Sequence, residues 1–225
     1  MRHKCLPQEG LKLIAALTML TDHIGAVFFP HVWLLRAIGR MAFPIYCFLL
    51  AEGAAHTKDP RRYGLRLLLG ALLSEIPYDF LFYGGLTWHH QSVMLTLLFG
   101  FLMLQWMKRS GKVLPVLLCA AAAELLNTDY GGLGVVLIWM FAIREQLPGK
   151  WVMLAIFMAA VFCLMPTSHF TVFSLTLPTQ LLGLGSLLPI ALYSGQKQSR
   201  SPVIQWGFYL FYPVHLLLLF WIHSL

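Results

Sequence analysis

An apolar run of about membrane-crossing length recurs along this chain, each run set off by short polar or Gly/Pro breaks. Nine such runs are read, at roughly 10–29, 33–56, 63–83, 91–108, 113–127, 130–146, 150–166, 172–194 and 203–223. A spanning helix needs roughly 20 apolar residues, so nine would use about 180 and leave about 45 for loops. The expectation is therefore an all-α polytopic membrane helix bundle of about nine spans, with residues 1–225 forming one domain and no room for a soluble one. Charged residues make up 11% of the chain, against about 25% in soluble domains, which excludes a soluble enzyme or a disordered chain. The mean hydropathy of +0.73 agrees. The third run is the weakest, because Glu75, Pro77 and Asp79 interrupt it, and the fifth is short enough to tilt or re-enter. Residues 11–28 look like a signal core, but no small-residue cleavage site follows, so they are read as a retained first helix. No internal repeat is visible, so the inverted-repeat signature of many transporters is missing.

The net charge is +7. In a soluble protein that excess would suggest nucleic acid; here it is read as topology, and no nucleic-acid partner is expected. Arg2, Lys4 and Lys12 precede or begin the first run, and Lys58, Arg61, Arg62 and Arg66 follow the second. Lys108, Arg109 and Lys112 follow the fourth, Arg144 and Lys150 the sixth, and Lys197 and Arg200 the eighth. Fourteen of the 16 basic residues thus share one side. Basic residues collect in cytoplasmic loops, which puts the N-terminus inside and the C-terminus outside. Cys5, Cys47, Cys119 and Cys163 have no metal or disulfide spacing. There is no HExxH, GxSxG or P-loop motif, and no metal is expected.

Arg36 and Arg40 break the charge pattern. They lie four apart in the outer half of the second run, where an arginine near mid-span costs about 2.5–3.5 kcal/mol. The same depth takes in Asp22 and His23 in run one, Glu75 and Asp79 in run three, and His89, His90 and Gln91 at the start of run four. Glu124, Asp129 and Tyr130 around runs five and six fall there too, as does His215 in run nine; Glu52 does not. Intramembrane charges usually face a bundle interior and mark function. Glu75, Asp79 and the arginines serve either such a site or structural ion pairing. Glu124, Asp129, His89 and His90 read more simply as hydrated interfacial groups. His23 and His215, at matched depth, suggest proton handling. Asp22 and His23 point about 100° apart on a helix, so Asp22 is expected to pair with an arginine of run two while His23 faces a cavity.

The stretch Leu11–Gly25, LKLIAALTMLTDHIG, resembles the opening of the TraX family. So do Gly39–Gly53, GRMAFPIYCFLLAEG, the segment SEIPYDF at Ser74–Phe80, and FYPVHL at Phe211–Leu216. TraX proteins are multi-span bacterial membrane proteins best known for N-acetylating the pilin subunit of conjugative plasmids. They are similar to a wider group of transmembrane acyltransferases that take acetyl-CoA from the cytosol, act on an acceptor across the membrane and need a histidine near the first helix. The resemblance makes that histidine His23 and the location the bacterial inner membrane.

It implies acetyl transfer from acetyl-CoA to an amine, on a peptide N-terminus or an amino sugar, in a protein surrounded by membrane lipids. Acyl transfer needs a base for the amine proton and a group that steadies the oxyanion. His23 suits the first role and Arg40 or Arg36 the second, with Asp22 beside them. Glu75, Asp79, Gln91 and His215 are candidates for binding substrate. Arg61, Arg62, Arg66, Lys108 and Arg109 could hold the CoA phosphates, although positive-inside topology also accounts for them. The alternatives are a proton-coupled membrane transporter using the same charges and a non-catalytic envelope assembly factor.

Overall fold

The structure, a computed structural model, describes residues 5–165, 168–172, 175–196 and 202–225. Arg2, Lys4, Lys197 and Arg200, four of the basic residues used in the charge argument, lie outside the described residues. The chain divides into two compact units: Met1–Tyr46 with Leu147–Phe208, and Cys47–Gln146 with Tyr209–Leu225.

In the first unit, α1 (Gln8–Val27) is followed by α2 (Trp33–Gly39), after which α3 (Ala42–His56) begins. The expected single helix over 33–56 is interrupted at Arg40 and Met41. Pro44 falls in the first turn of α3, where its missing N–H removes no intrahelical hydrogen bond. Between Leu147 and Phe208, α8 (Lys150–Leu164) leads to β1 (His169–Val172), β2 (Leu175–Pro178), a 3-10 helix (Thr179–Ser186) and the short α9 (Leu187–Ala191). Strands β1 and β2 pair antiparallel, Phe170 opposite Leu177, and Trp33 stacks on Phe170 with ring centroids 5.7 Å apart. Among the described residues, the expected single helix over 172–194 is therefore replaced by β2, the 3-10 helix and α9. Thr171, Val172, Leu175, Thr176 and Leu177 supply the β-branched and alternating pattern that suits a strand. Leu6 pairs with Tyr193 and ties the N-terminal segment to the end of α9.

In the second unit, α4 (Pro60–Tyr83) starts at Asp59, whose side chain accepts from the Arg62 N–H, with Pro60 in the first turn. It runs unbroken through Pro77. Next come α5 (Val93–Ser110), α6 (Leu114–Leu125) and α7 (Gly131–Ile143). Met103, Leu137, Ile138 and Phe141 are fully buried among them. Most of α10 (Pro202–His223) completes the unit. Glu52 pairs with Arg144, whose guanidinium lies 4.7 Å from the centre of the Phe48 ring. That pairing compensates the acidic residue that did not fit the depth pattern.

Among the described residues, three segments are long and apolar enough to cross a membrane: Gln8–Val27, Trp33–His56 and Trp206–His223. Helix α6 has 12 residues and at 1.5 Å per residue reaches about 18 Å, short of the roughly 30 Å hydrocarbon core. Helix α4 has the length, at 24 residues, but carries Arg61, Arg62, Arg66, Glu75 and Asp79.

Candidate functional site

Asp22, near the end of α1, meets Arg36 of α2 and Arg40 just past its end. Arg36 Nη1 donates to Asp22 Oδ2 at 2.7 Å and to the Asp22 carbonyl at 3.1 Å. Arg40 Nη2 donates to Oδ1 at 2.8 Å and to Oδ2 at 3.0 Å. The Asp22 and Arg40 side chains are each 14% exposed, so the attraction is screened far less than at a surface. One carboxylate thus faces two guanidinium groups, and the compensation expected for the two arginines comes from Asp22. Gly39 makes the approach possible, since a Cβ there would fall 2.2 Å from the Asp22 side chain.

Arg40 also reaches the 3-10 helix. Its Nη1 donates to Gln180 Oε1 at 3.2 Å, and its Nε donates to the Arg36 carbonyl at 3.3 Å. Gly183 packs on the Arg40 carbonyl, where a Cβ would lie 2.9 Å from that oxygen and 3.0 Å from the Phe162 ring. His23 follows Asp22 on α1 and is half-buried. The Asp22 oxygens are both engaged by arginine, one residue before His23 on α1. Asp22, His23, Arg36, Arg40 and Gln180 all belong to the first unit.

The second unit holds a separate polar group where α4 ends and α5 begins. Glu75 accepts from the Ser92 hydroxyl at 2.6 Å and from the Ser92 N–H at 3.1 Å. Asp79 is 4% exposed; its Oδ2 accepts from the Thr87 N–H at 3.0 Å, and its Oδ1 has no hydrogen-bond partner among the described residues. The Tyr78 hydroxyl lies 3.1 Å from His90 Nδ1. Gln91 is buried in a bridge with Thr128: its N–H donates to the Asn127 carbonyl and its carbonyl accepts from the Asp129 N–H. Its backbone therefore holds two loops together. Glu124 accepts from the Gly132 N–H at the start of α7. His215 is buried, stacked on Phe211, and its Nδ1 donates to the Phe211 carbonyl at 2.7 Å. In the neutral ring this leaves the lone pair on Nε2.

The basic candidates for CoA divide by burial. Arg61, Arg62, Lys108 and Arg109 are exposed. Arg66 is half-buried, its guanidinium 5.6 Å from the Tyr63 ring centre and 5.6 Å from that of Tyr209, with Nε unpartnered among the described residues. The sequence reading did not single out Gln180, Ser92, Thr87 or Tyr78. Gln180 lay hidden in a run read as a spanning helix; the only signal was a buried-type amide between Pro178 and two glycines.

A family described as TraX protein matches residues 7–223. The chain belongs to the TraX family. A probable fimbrial assembly protein FimC, serogroup H1, from Dichelobacter nodosus is 28% identical to this TraX protein over 228 residues, covering 93% of this chain and 92% of that one. An uncharacterized protein, RP591, from Rickettsia prowazekii (strain Madrid E) is 44% identical over 41 residues, 18% of this chain and 16% of its own. No solved structure matches this TraX protein.

Proposed function

We propose that this TraX-family chain is an integral-membrane N-acetyltransferase. It moves an acetyl group from cytosolic acetyl-CoA to an amine at the outer side of a bacterial inner membrane. The proposal includes nine membrane crossings, two of them made by the short segments α6 and Thr179–Ala191, with the N-terminus inside and the C-terminus outside, a topology supported by the one-sided basic residues. The observation that carries the reading is the pairing of Asp22, the residue before His23 on α1, with Arg36 and Arg40. Transfer through an oxyanion calls for a base and fixed positive charge within an apolar setting, and α1 carries both the candidate base and the carboxylate that fixes the cations.

In this reading His23 takes the amine proton, Arg40 and Arg36 supply positive charge, and Asp22 fixes both arginines. Arg66, with Arg61, Arg62, Lys108 and Arg109, attracts the CoA phosphates. Glu75, Asp79, Gln91 and His215 remain the residues proposed to bind the acceptor. The fimbrial assembly name of the Dichelobacter nodosus relative favours a peptide N-terminus, that of a fibre subunit, over an amino sugar. The test uses detergent-purified full-length protein, isotopically labelled acetyl-CoA, and a peptide with a free N-terminus or its N-acetylated counterpart. Label on the free peptide, followed by mass spectrometry, is the expected result. Absence of label together with solute or proton movement in liposomes would replace this reading with the transporter.

A further inference from the structure

Gln180 holds a hydrogen-bonding group in reserve. Its Oε1 accepts from Arg40 Nη1 at 3.2 Å. A guanidinium only donates, so this contact settles which end of the amide faces Arg40 and leaves the NH2 group elsewhere. The residue is 2% exposed, and Nε2 has no partner among the described residues. A buried donor left unpaired is costly, and native proteins rarely keep one without a use.

The surrounding helix shows which residues share a face with the orphan. Residues three apart eclipse on a 3-10 helix, and runs beyond three or four residues are uncommon. Thr179–Ser186 runs for eight. Gln180, Gly183 and Ser186 therefore share one face, and Gly183 on that face touches the Arg40 carbonyl. Ser186 is 0% exposed, and its Oγ is likewise without a partner among the described residues. Two unsatisfied polar groups on one buried face, beside Arg40, fit a ligand that offers oxygen acceptors. An ammonium group does not fit there, because it brings only donors to a place already filled with donors and positive charge.

We propose that Gln180 Nε2, together with the Arg40 guanidinium that orients it, binds the carbonyl oxygen of the acyl thioester. This assignment rests on the acetyltransferase reading and names the group that meets the donor substrate. The neutral amine nitrogen attacks the thioester carbonyl carbon, and a C–N bond forms as the carbonyl electron pair moves to oxygen. Gln180 Nε2 and Arg40 hold that oxyanion. His23 takes the proton from the amine. The C–S bond then breaks, the carbonyl re-forms, and the thiolate of CoA accepts the proton from His23 to leave as thiol.

The test compares binding of two inert CoA thioethers to detergent-purified full-length protein. Acetonyl-CoA carries a ketone oxygen; S-propyl-CoA has the same length without it. Wild type is expected to bind acetonyl-CoA about tenfold more tightly, the scale of one buried hydrogen bond to a charged or oriented partner. Gln180→Met keeps the side-chain length and should bind both analogues equally, while its melting temperature stays level or rises. Gln180→Glu, which replaces the donor with an acceptor, should also lose the preference and gives an independent check if the first variant folds poorly. Equal binding of both analogues by wild type, or a preference that survives in Gln180→Met, overturns the assignment and leaves the acetyltransferase reading standing. Failure of wild type to bind either analogue overturns both.

Discussion

Gly39 lies directly against Asp22: a methyl group added to the glycine would come within 2.2 Å of the aspartate Cβ. The glycine is thus part of the ion-pair assembly, although it carries no charge. Gly39→Ala is expected to push Asp22 away from Arg36 and Arg40 and lower stability by about 1–3 kcal/mol, the scale of overpacking. Gly207→Ala is the control, because its added methyl meets nothing within 4 Å and improves helix propensity. Thermal unfolding in detergent separates the two. Equal melting temperatures would show that α1 and α2 adjust freely.

Removing the carboxylate should cost more than removing one arginine with it. Asp22→Asn leaves Arg36 and Arg40 without the anion that both contact, and breaking a buried pair costs about 3–5 kcal/mol. The double variant Asp22→Asn with Arg40→Gln should recover part of that loss. A double-mutant cycle on the purified protein measures the coupling, and strict additivity would mean that the pair contributes little.

His23→Ala should abolish most acetyl transfer and spare the fold. The expected loss is about 10²–10⁴ in rate, the range for a positioned acid–base group. His215→Ala should lose less, because His215 Nδ1 is already committed to the Phe211 carbonyl. Single-turnover transfer by folded variants is the measurement. Near-normal transfer by His23→Ala would remove it as the base.

Topology has a direct readout. Reporter fusions after Pro60, Ser110 and Pro148 should report cytoplasm, and those after Leu86 and Ser168 the exterior. A cytoplasmic signal from Leu86 would invert α4 and detach Glu75 and Asp79 from the outer side.

Among the basic residues proposed for CoA, Arg66 should matter most. It is held between Tyr63 and Tyr209, whereas Arg61 and Arg109 are exposed and keep their full hydration. Arg66→Ala should raise the KM for acetyl-CoA with little change in kcat, and Arg61→Ala should change neither by much. Equal effects would point to a diffuse surface potential in place of a built contact.

Much of this fold is legible in the hydropathy pattern. Helices α1, α4, α5, α7, α8 and α10 begin and end within a few residues of the runs that suggest them, since long apolar segments between Gly, Pro and charge clusters have few other solutions. The pairing of Asp22 with run two was legible as well, because an arginine in an apolar helix needs a partner. The break at Arg40 was overlooked although Pro44 marks a helix start just beyond it; continuous hydrophobicity outweighed that signal. The segment 169–186 misled for the opposite reason. Its apolar content matches a span, but its alternation of Thr with Leu and Val matches a strand, and hydropathy alone does not tell them apart. Gln180 was invisible for the same cause, because its place depends on a 3-10 helix that no local pattern announced.

The Asp22 contacts also bear on how such a chain enters a bilayer. Delivered singly to lipid, α1 would bring Asp22 without its arginines, and α2 with its C-cap would bring Arg36 and Arg40 without that carboxylate, each disfavoured by about 2.5–3.5 kcal/mol near mid-membrane. Only the five residues Phe28–Val32 separate these helices, and Gly39 lets them close on each other. Closing as a hairpin, α1 and the segment after it would bring Asp22 against both arginines, so that the pair of guanidinium groups would enter lipid with one compensating charge instead of none.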